Sequence, residues 1–146
     1  GYMVKEGQIY VLEFNTRFGD PESQVLLPRL QSDLLENIQQ ALNYQEVRLA
    51  FCADQCMTTI LVSDGYPKTY QSGYEIHGLD QLPDDMLVFH NGTKQQDGKL
   101  VTKGGRVLSI TAKAPELEQA RVAVYEAIKN LSFENMRYRK DIGAVH

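Results

Sequence analysis

Two apolar runs flank a polar, glycine-bearing turn at the start of the chain, and the pattern predicts a hairpin. Gly1-Tyr2-Met3-Val4 reads as one strand, Glu6-Gly7 as the turn, and residues 9–15 as the returning strand. Tyr10, Leu12 and Phe14 form an unbroken apolar face on the returning strand, which predicts anchoring on that side. The other face carries Ile9, Val11, Glu13 and Asn15, with Arg17 following if the extended run continues. Gly19 permits a tight turn, Asp20 suits a helix cap, and Pro21 suits the first helical position. The period then becomes helical. Ser32 is expected to cap a helix whose Leu34, Leu35, Ile38, Ala41 and Leu42 share one face. Pro115 opens another, with Leu117, Ala120, Val124, Ala127, Ile128 and Leu131 as its apolar stripe. Between them, strands are expected at 47–52, 57–63, 86–90, 99–102 and 106–112, with Gln96-Asp97-Gly98 as a turn. Strands in series followed by a packed helix define an α+β class. The expected boundary falls near residue 45, giving segments 1–45 and 46–146.

Composition narrows this modestly. A chain of 146 residues, 42% hydrophobic, can bury one core of ordinary size. A net charge of −4 argues against a nucleic-acid partner bound by general phosphate attraction, but not against a small phosphorylated ligand. No apolar run approaches the roughly 20 residues of a membrane span, and no signal-peptide pattern opens the chain. Cys52 and Cys56 are too few for a disulfide scaffold or a four-thiolate zinc site, and read as thiols of a cytosolic protein. His90, before Asn91-Gly92-Thr93, either faces a cleft or satisfies a turn; His77 and His146 do not suggest catalysis.

The candidate chemistry lies on the polar side of the returning strand. Glu13, Asn15 and Arg17 offer a carboxylate, a neutral oxygen donor and a guanidinium, a set suited to a metal held against a phosphate. Oxygen ligands favour Mg²⁺ or Mn²⁺. The competing reading is the wet side of an antiparallel sheet. A helix starting at Pro21 would add free backbone N–H groups for an anion beside that face. A second cluster is Lys103-Gly104-Gly105-Arg106, where two glycines and two cations could hold a phosphate, or where a glycine bulge simply leads into a strand.

The segment LEFNTRFGDPESQVLLPRLQSDLLE, from Leu12, resembles the end of the ATP-grasp core of glycinamide ribonucleotide synthetases (phosphoribosylamine–glycine ligases). SDGYPKTY from Ser63, FHNGTK from Phe89, LVTKGGRVLSITA from Leu100 and FENMRYRKDIG from Phe133 resemble the C-terminal domain of the same family, in the same order. Lys68 departs from the pattern, where a glycine is expected. The resemblance implies that 1–45 is the C-terminal part of an ATP-grasp domain, a strand-helix piece, and that 46–146 is a small β-rich C-terminal domain with a packed helix. It implies a cytoplasmic enzyme whose N-terminal and remaining ATP-grasp portions are missing partners here, so the fragment alone is expected to be inactive.

The implied reaction joins glycine to 5-phosphoribosylamine through glycyl phosphate at the expense of ATP. By the resemblance, Glu13 and Asn15 hold the metal, and Arg17 steadies the glycyl carboxylate or acyl phosphate. Asp20 or Glu22 would meet the glycine ammonium, and Arg106 of the Lys103–Arg106 loop the ribose phosphate. The Arg137, Arg139, Lys140 run reads as a solvated face, and its family match suggests packing against the rest of the enzyme. Two alternatives are another ATP-grasp carboxylate–amine ligase and a non-catalytic module that binds a sugar phosphate without ATP or metal.

Overall fold

The computed structural model describes residues 1–144; His146 lies outside them. Strands β1 (Tyr2–Lys5) and β2 (Gln8–Val11) form the expected antiparallel hairpin. Its turn residues Glu6 and Gly7 take φ of 52° and 76°, the paired left-handed conformation that a two-residue hairpin favours.

The second strand is shorter than expected: it ends at Val11. Tyr2 pairs with Val11, and the Gly1 carbonyl accepts from the N–H groups of Leu12 (2.9 Å) and Glu13 (3.3 Å). Glu13 and Asn15 therefore lie in a loop. The expected anchored face is also corrected: Tyr10, Leu12 and Phe14 are exposed, Phe14 by 88%.

Helix α1 spans Ser23–Leu26 and continues into a tight turn at Leu27–Arg29. Asp20 does not cap it; the cap position falls on Glu22, which makes no side-chain cap bond. Helix α2 (Leu34–Leu42) has the expected spacing but a different cap: Asp33 Oδ1 accepts from the Glu36 N–H at 2.9 Å. Ser32 Oγ instead accepts from Asn37 Nδ2 (2.8 Å) and the Ala50 N–H (3.2 Å), tying residue 50 back to the start of the helix. Residues 47–52 make no named strand. They run past residues 29–31 with a single bridge, Leu30 to Phe51.

The remaining elements are β3 (Gln55–Ser63), β4 (Leu87–His90), β5 (Thr93–Gln96), β6 (Lys99–Thr102), β7 (Arg106–Ala114), α3 (Leu117–Ile128) and β8 (Met136–Arg137). A four-stranded antiparallel sheet has the order β4-β7-β3-β8, and β5 pairs with β6 as a side hairpin. Asp97 and Gly98 turn that hairpin, again with positive φ (51° and 77°). The class is α+β, as expected.

The register builds the core. Met57 faces Ala112, Thr59 faces Ile110 and Leu61 faces Leu108, so these side chains share one side of the sheet. Helix α3 packs there with Ala120, Val124, Ala127 and Ile128, all buried.

The opposite side carries Thr58, Ser109 and Thr111. Thr111 Oγ1 donates to Thr58 Oγ1 (2.7 Å), and Asn91 Nδ2 to Ser109 Oγ (2.7 Å), which satisfies hydroxyls that are out of water. Segment 20–29 lies over this side, fastened by Lys113 Nζ donating to the Pro28 carbonyl at 3.0 Å. Strand β7 is thus covered on both faces.

Gly78, at φ 87°, lies so close to the turn after α3 that a Cβ would overlap the Asn130 carbonyl oxygen. The His77 N–H donates to the Ser132 carbonyl (2.9 Å) alongside, so the backbone has little room to retreat. Gly78→Ala is expected to destabilise the protein by on the order of 3 kcal/mol in urea unfolding. A change below about 0.5 kcal/mol would show that this approach is not rigid.

Candidate functional site

Glu13 and Asn15 come together although the strand does not form. Asn15 Nδ2 donates to Glu13 Oε1 at 3.0 Å, and both side chains are exposed. A half-turn of the carboxamide would set Asn15 Oδ1 beside the carboxylate, giving two hard oxygen donors. Arg17 is not drawn into this pair: its NH1 donates to the Phe18 carbonyl at 2.9 Å. The Glu22 carboxylate folds back over Gly19.

Asp20 makes the longer-range contact. Its Oδ1 accepts from Gln24 Nε2 (2.8 Å), its Oδ2 pairs with Arg106 NH2 (3.1 Å), and its carbonyl accepts from Arg106 NH1 (2.9 Å). Arg106 can reach it because of a bulge. Leu61 pairs with Leu108 but Val62 pairs with Arg106, so Val107 is an extra residue. Were Val107 paired with Val62 in an unbroken ladder, Arg106 would point into the α3 side; with the bulge, Arg106 joins Val62 on the opposite face.

The loop before Arg106 is closed on itself. The N–H groups of Lys103 and Gly104 both donate to the Gly92 carbonyl, at 2.8 and 3.2 Å. The carbonyls of Gly104 and Gly105 accept from Ser63 Oγ (3.0 Å) and the Ser63 N–H (2.8 Å). Packing explains the glycines: a Cβ at Gly105 would strike the rings of Tyr66 and Tyr70, and Gly104 abuts the Gly92 backbone. The side chains of Lys103 and Arg106 are what this loop offers an anion.

Arg106 borders a groove of about 560 Å³, floored by Ile60 and Val62 and walled by Pro21 on one side and Tyr138 and Ile142 on the other. Arg137 and Arg139 also line it. Each arginine has an acidic neighbour: Asp20 for Arg106, Asp64 for Arg137 (3.2 Å), and Asp141 for Arg139 (2.9 Å from Nε). The bond to Asp141 pushes the Arg139 pKa up, so its charge is secure.

Sequence reasoning missed Arg137, Arg139 and Tyr66 as site residues. The available signal was two cations at alternate positions around Tyr138, and β8 realises it by pairing Arg137 with Val62. His90 satisfies a turn, its Nδ1 lying 3.0 Å from Thr93 Oγ1. Burial pushes the Cys56 thiol pKa up, offset in part by Lys113 and then Arg29, so it stays protonated at neutral pH. Among the described residues no group of three or more His, Cys, Asp or Glu side chains could hold a metal.

Comparison with known proteins gives the class: residues 56–145, more than half of the chain, match the family described as phosphoribosylglycinamide synthetase, C domain. The chain belongs to that family. It is 47% identical to the phosphoribosylamine–glycine ligase of Halalkalibacterium halodurans, over 99% of this chain and 34% of that protein. It is 42% identical to the trifunctional purine biosynthetic protein adenosine-3 of Gallus gallus, over 98% of this chain and 15% of that protein. The crystal structure of the Thermotoga maritima phosphoribosylamine–glycine ligase matches with a TM-score of 0.81 and 32% identity, covering 97% of this chain and 35% of that one. The chain thus spans about a third or less of the length of these relatives.

Proposed function

We propose that this chain is the C-terminal part of an ATP-dependent ligase that joins glycine to 5-phosphoribosylamine in purine synthesis, working in the cytoplasm. One observation carries the reading: the Asp20–Arg106 contact joins the loop bearing Glu13 and Asn15 to the arginine-lined groove. The two halves of a two-substrate reaction would then meet at residues 20 and 21. We assign residues 1–45 to the end of an ATP-grasp core and 46–146 to the C-terminal domain.

Glu13 and Asn15 fit Mg²⁺ or Mn²⁺, because such an ion takes one or two protein oxygens and completes its shell with phosphate oxygens and water. When bound, the ion supplies charge neutralisation on the transferring phosphoryl group of ATP. Arg17 swings from the Phe18 carbonyl to grip the glycyl carboxylate and then the acyl phosphate, with paired hydrogen bonds. Asp20 and Glu22 face the glycine ammonium. Arg106 takes the sugar phosphate, aided by Lys103 from the loop before it, with Arg137 and Arg139 along the groove that Arg106 borders and the apolar floor excluding water from it. Attack of the amine on glycyl phosphate then needs placement more than covalent help.

The remaining portions of the ligase would cover the apolar surface of residues 1–51, where Tyr10, Leu12, Phe14, Leu35, Ile38 and Leu42 all stand exposed. Among the described residues, no helix is long and apolar enough to cross a membrane.

The test compares phosphate release by the 146-residue chain with that by a complete ligase ending in it. Release that depends on glycine and phosphoribosylamine is expected from the complete ligase alone. Activity of the isolated chain, or a complete ligase indifferent to glycine, would overturn the reading.

A further inference from the structure

We propose that Asp20 is a positioning residue that occupies Arg106 until the sugar phosphate arrives, and that the exchange releases the Asp20 carboxylate to the glycine side of the site. This inference rests on the function proposed above and adds an order to it: filling the groove prepares the neighbouring subsite.

Three features support the exchange. The bulge at Val107 fixes Arg106 on the groove side, so its guanidinium can turn between Asp20 and a groove ligand without moving its strand. The Asp20 and Arg106 side chains are 36% and 37% exposed, and ion pairs so open to water contribute little and part readily. A phosphate carries more charge and more acceptor oxygens than a carboxylate, so it is the stronger partner for a guanidinium.

Asp20 is prepared for release. Gln24, which is buried, holds Oδ1 throughout, so losing Arg106 leaves the carboxylate oriented with Oδ2 unoccupied. Arg106 also lets go of the Asp20 carbonyl, which frees the backbone of the loop carrying Arg17 and Glu22. Because such coupling is reciprocal, an ammonium group at Asp20 would strengthen phosphate binding at Arg106 by the same factor.

The experiment is a titration of the isotope-labelled chain with ribose 5-phosphate, following backbone amides and the Arg106 Nε–H signal by NMR. The inference expects saturable shifts at Gly105, Tyr66 and Tyr138 together with shifts at residues 19–24. It also expects Asp20→Asn to bind the ligand about two- to fivefold more tightly, the range that loss of an exposed competing pair allows, and Asp20→Glu to restore the weaker binding. A purely structural Asp20 would weaken binding when replaced. Shifts in the groove with residues 19–24 unmoved, or Asp20→Asn binding no more tightly, would overturn the exchange while leaving the groove as the phosphate site. Absence of saturable shifts in both proteins would overturn the groove assignment itself.

Discussion

Glu13→Gln in a complete ligase ending in this chain is expected to lower kcat by more than about 100-fold. Substitution of groups that merely support metal ligands costs roughly 10- to 100-fold, and Glu13 is assigned as a ligand itself. The change removes the one carboxylate of the pair and keeps its shape, leaving two neutral oxygens to face the charge of ATP and its metal. Asn15 remains 3.0 Å away in the unaltered protein, so the local loop has a hydrogen-bond partner after the change. Raising Mg²⁺ or Mn²⁺ should recover part of the rate, whereas raising glycine should not. Steady-state kinetics across a metal titration check this. A loss of less than threefold, with unchanged metal dependence, would remove Glu13 from the site.

Leu61→Ala is expected to destabilise the protein by about 3 kcal/mol, within the usual span for a fully buried leucine. Leu61 has no exposed surface, lies opposite Leu108 in the sheet, and belongs to the cluster under α3. The sheet holds it on one side and the helix on the other, so neighbouring atoms have little freedom to close the cavity. Domains of this size are stable by roughly 5–15 kcal/mol, so the loss is a large fraction of the total. Urea unfolding followed by circular dichroism measures it. A change under 1 kcal/mol would mean that the core relaxes into the space.

These two residues also mark where the sequence was legible. Strand β3, strand β6, strand β7 and helix α3 were readable because their apolar spacing is answered within this chain. Leu61 finds Leu108, and Val124 finds the sheet. The spacing of α2 was equally clear, yet its Leu35, Ile38 and Leu42 meet water. Periodicity reports that a face is apolar, not what covers it. Residues 9–15 likewise read as a longer strand than forms: the apolar face of Tyr10, Leu12 and Phe14 runs past Val11, but the pairing ends there. Strand β5, Thr93–Gln96, was missed because Thr-Lys-Gln-Gln has no apolar alternation, and β8 because two residues make no pattern.

The candidate site was readable as residue types and less so as geometry. Glu13 and Asn15 were paired by spacing and do touch, through a loop instead of a strand face. Arg106 was singled out as a cation beside glycines. Its contact with Asp20 joins residues 86 positions apart and depends on folding the chain's start over the sheet. Nothing local announces such a contact. The glycine pair at 104 and 105 suits a phosphate loop by sequence, whereas its neighbours in space are Gly92, Tyr66 and Tyr70.

The bulge at Val107 means that the groove is encoded partly by counting. A register without the bulge, with Val107 paired to Val62, would leave every groove-lining side chain in the sequence, yet it would restore strict alternation and turn Arg106 toward α3. Such a change of register would separate composition from phase: a protein with the full chemical inventory of the site and no site. Conversely, related chains can exchange Ile60 or Val62 for other apolar residues and keep the groove, provided Arg106 stays opposite Val62. The register of β7 would therefore carry more functional meaning than substitutions along it.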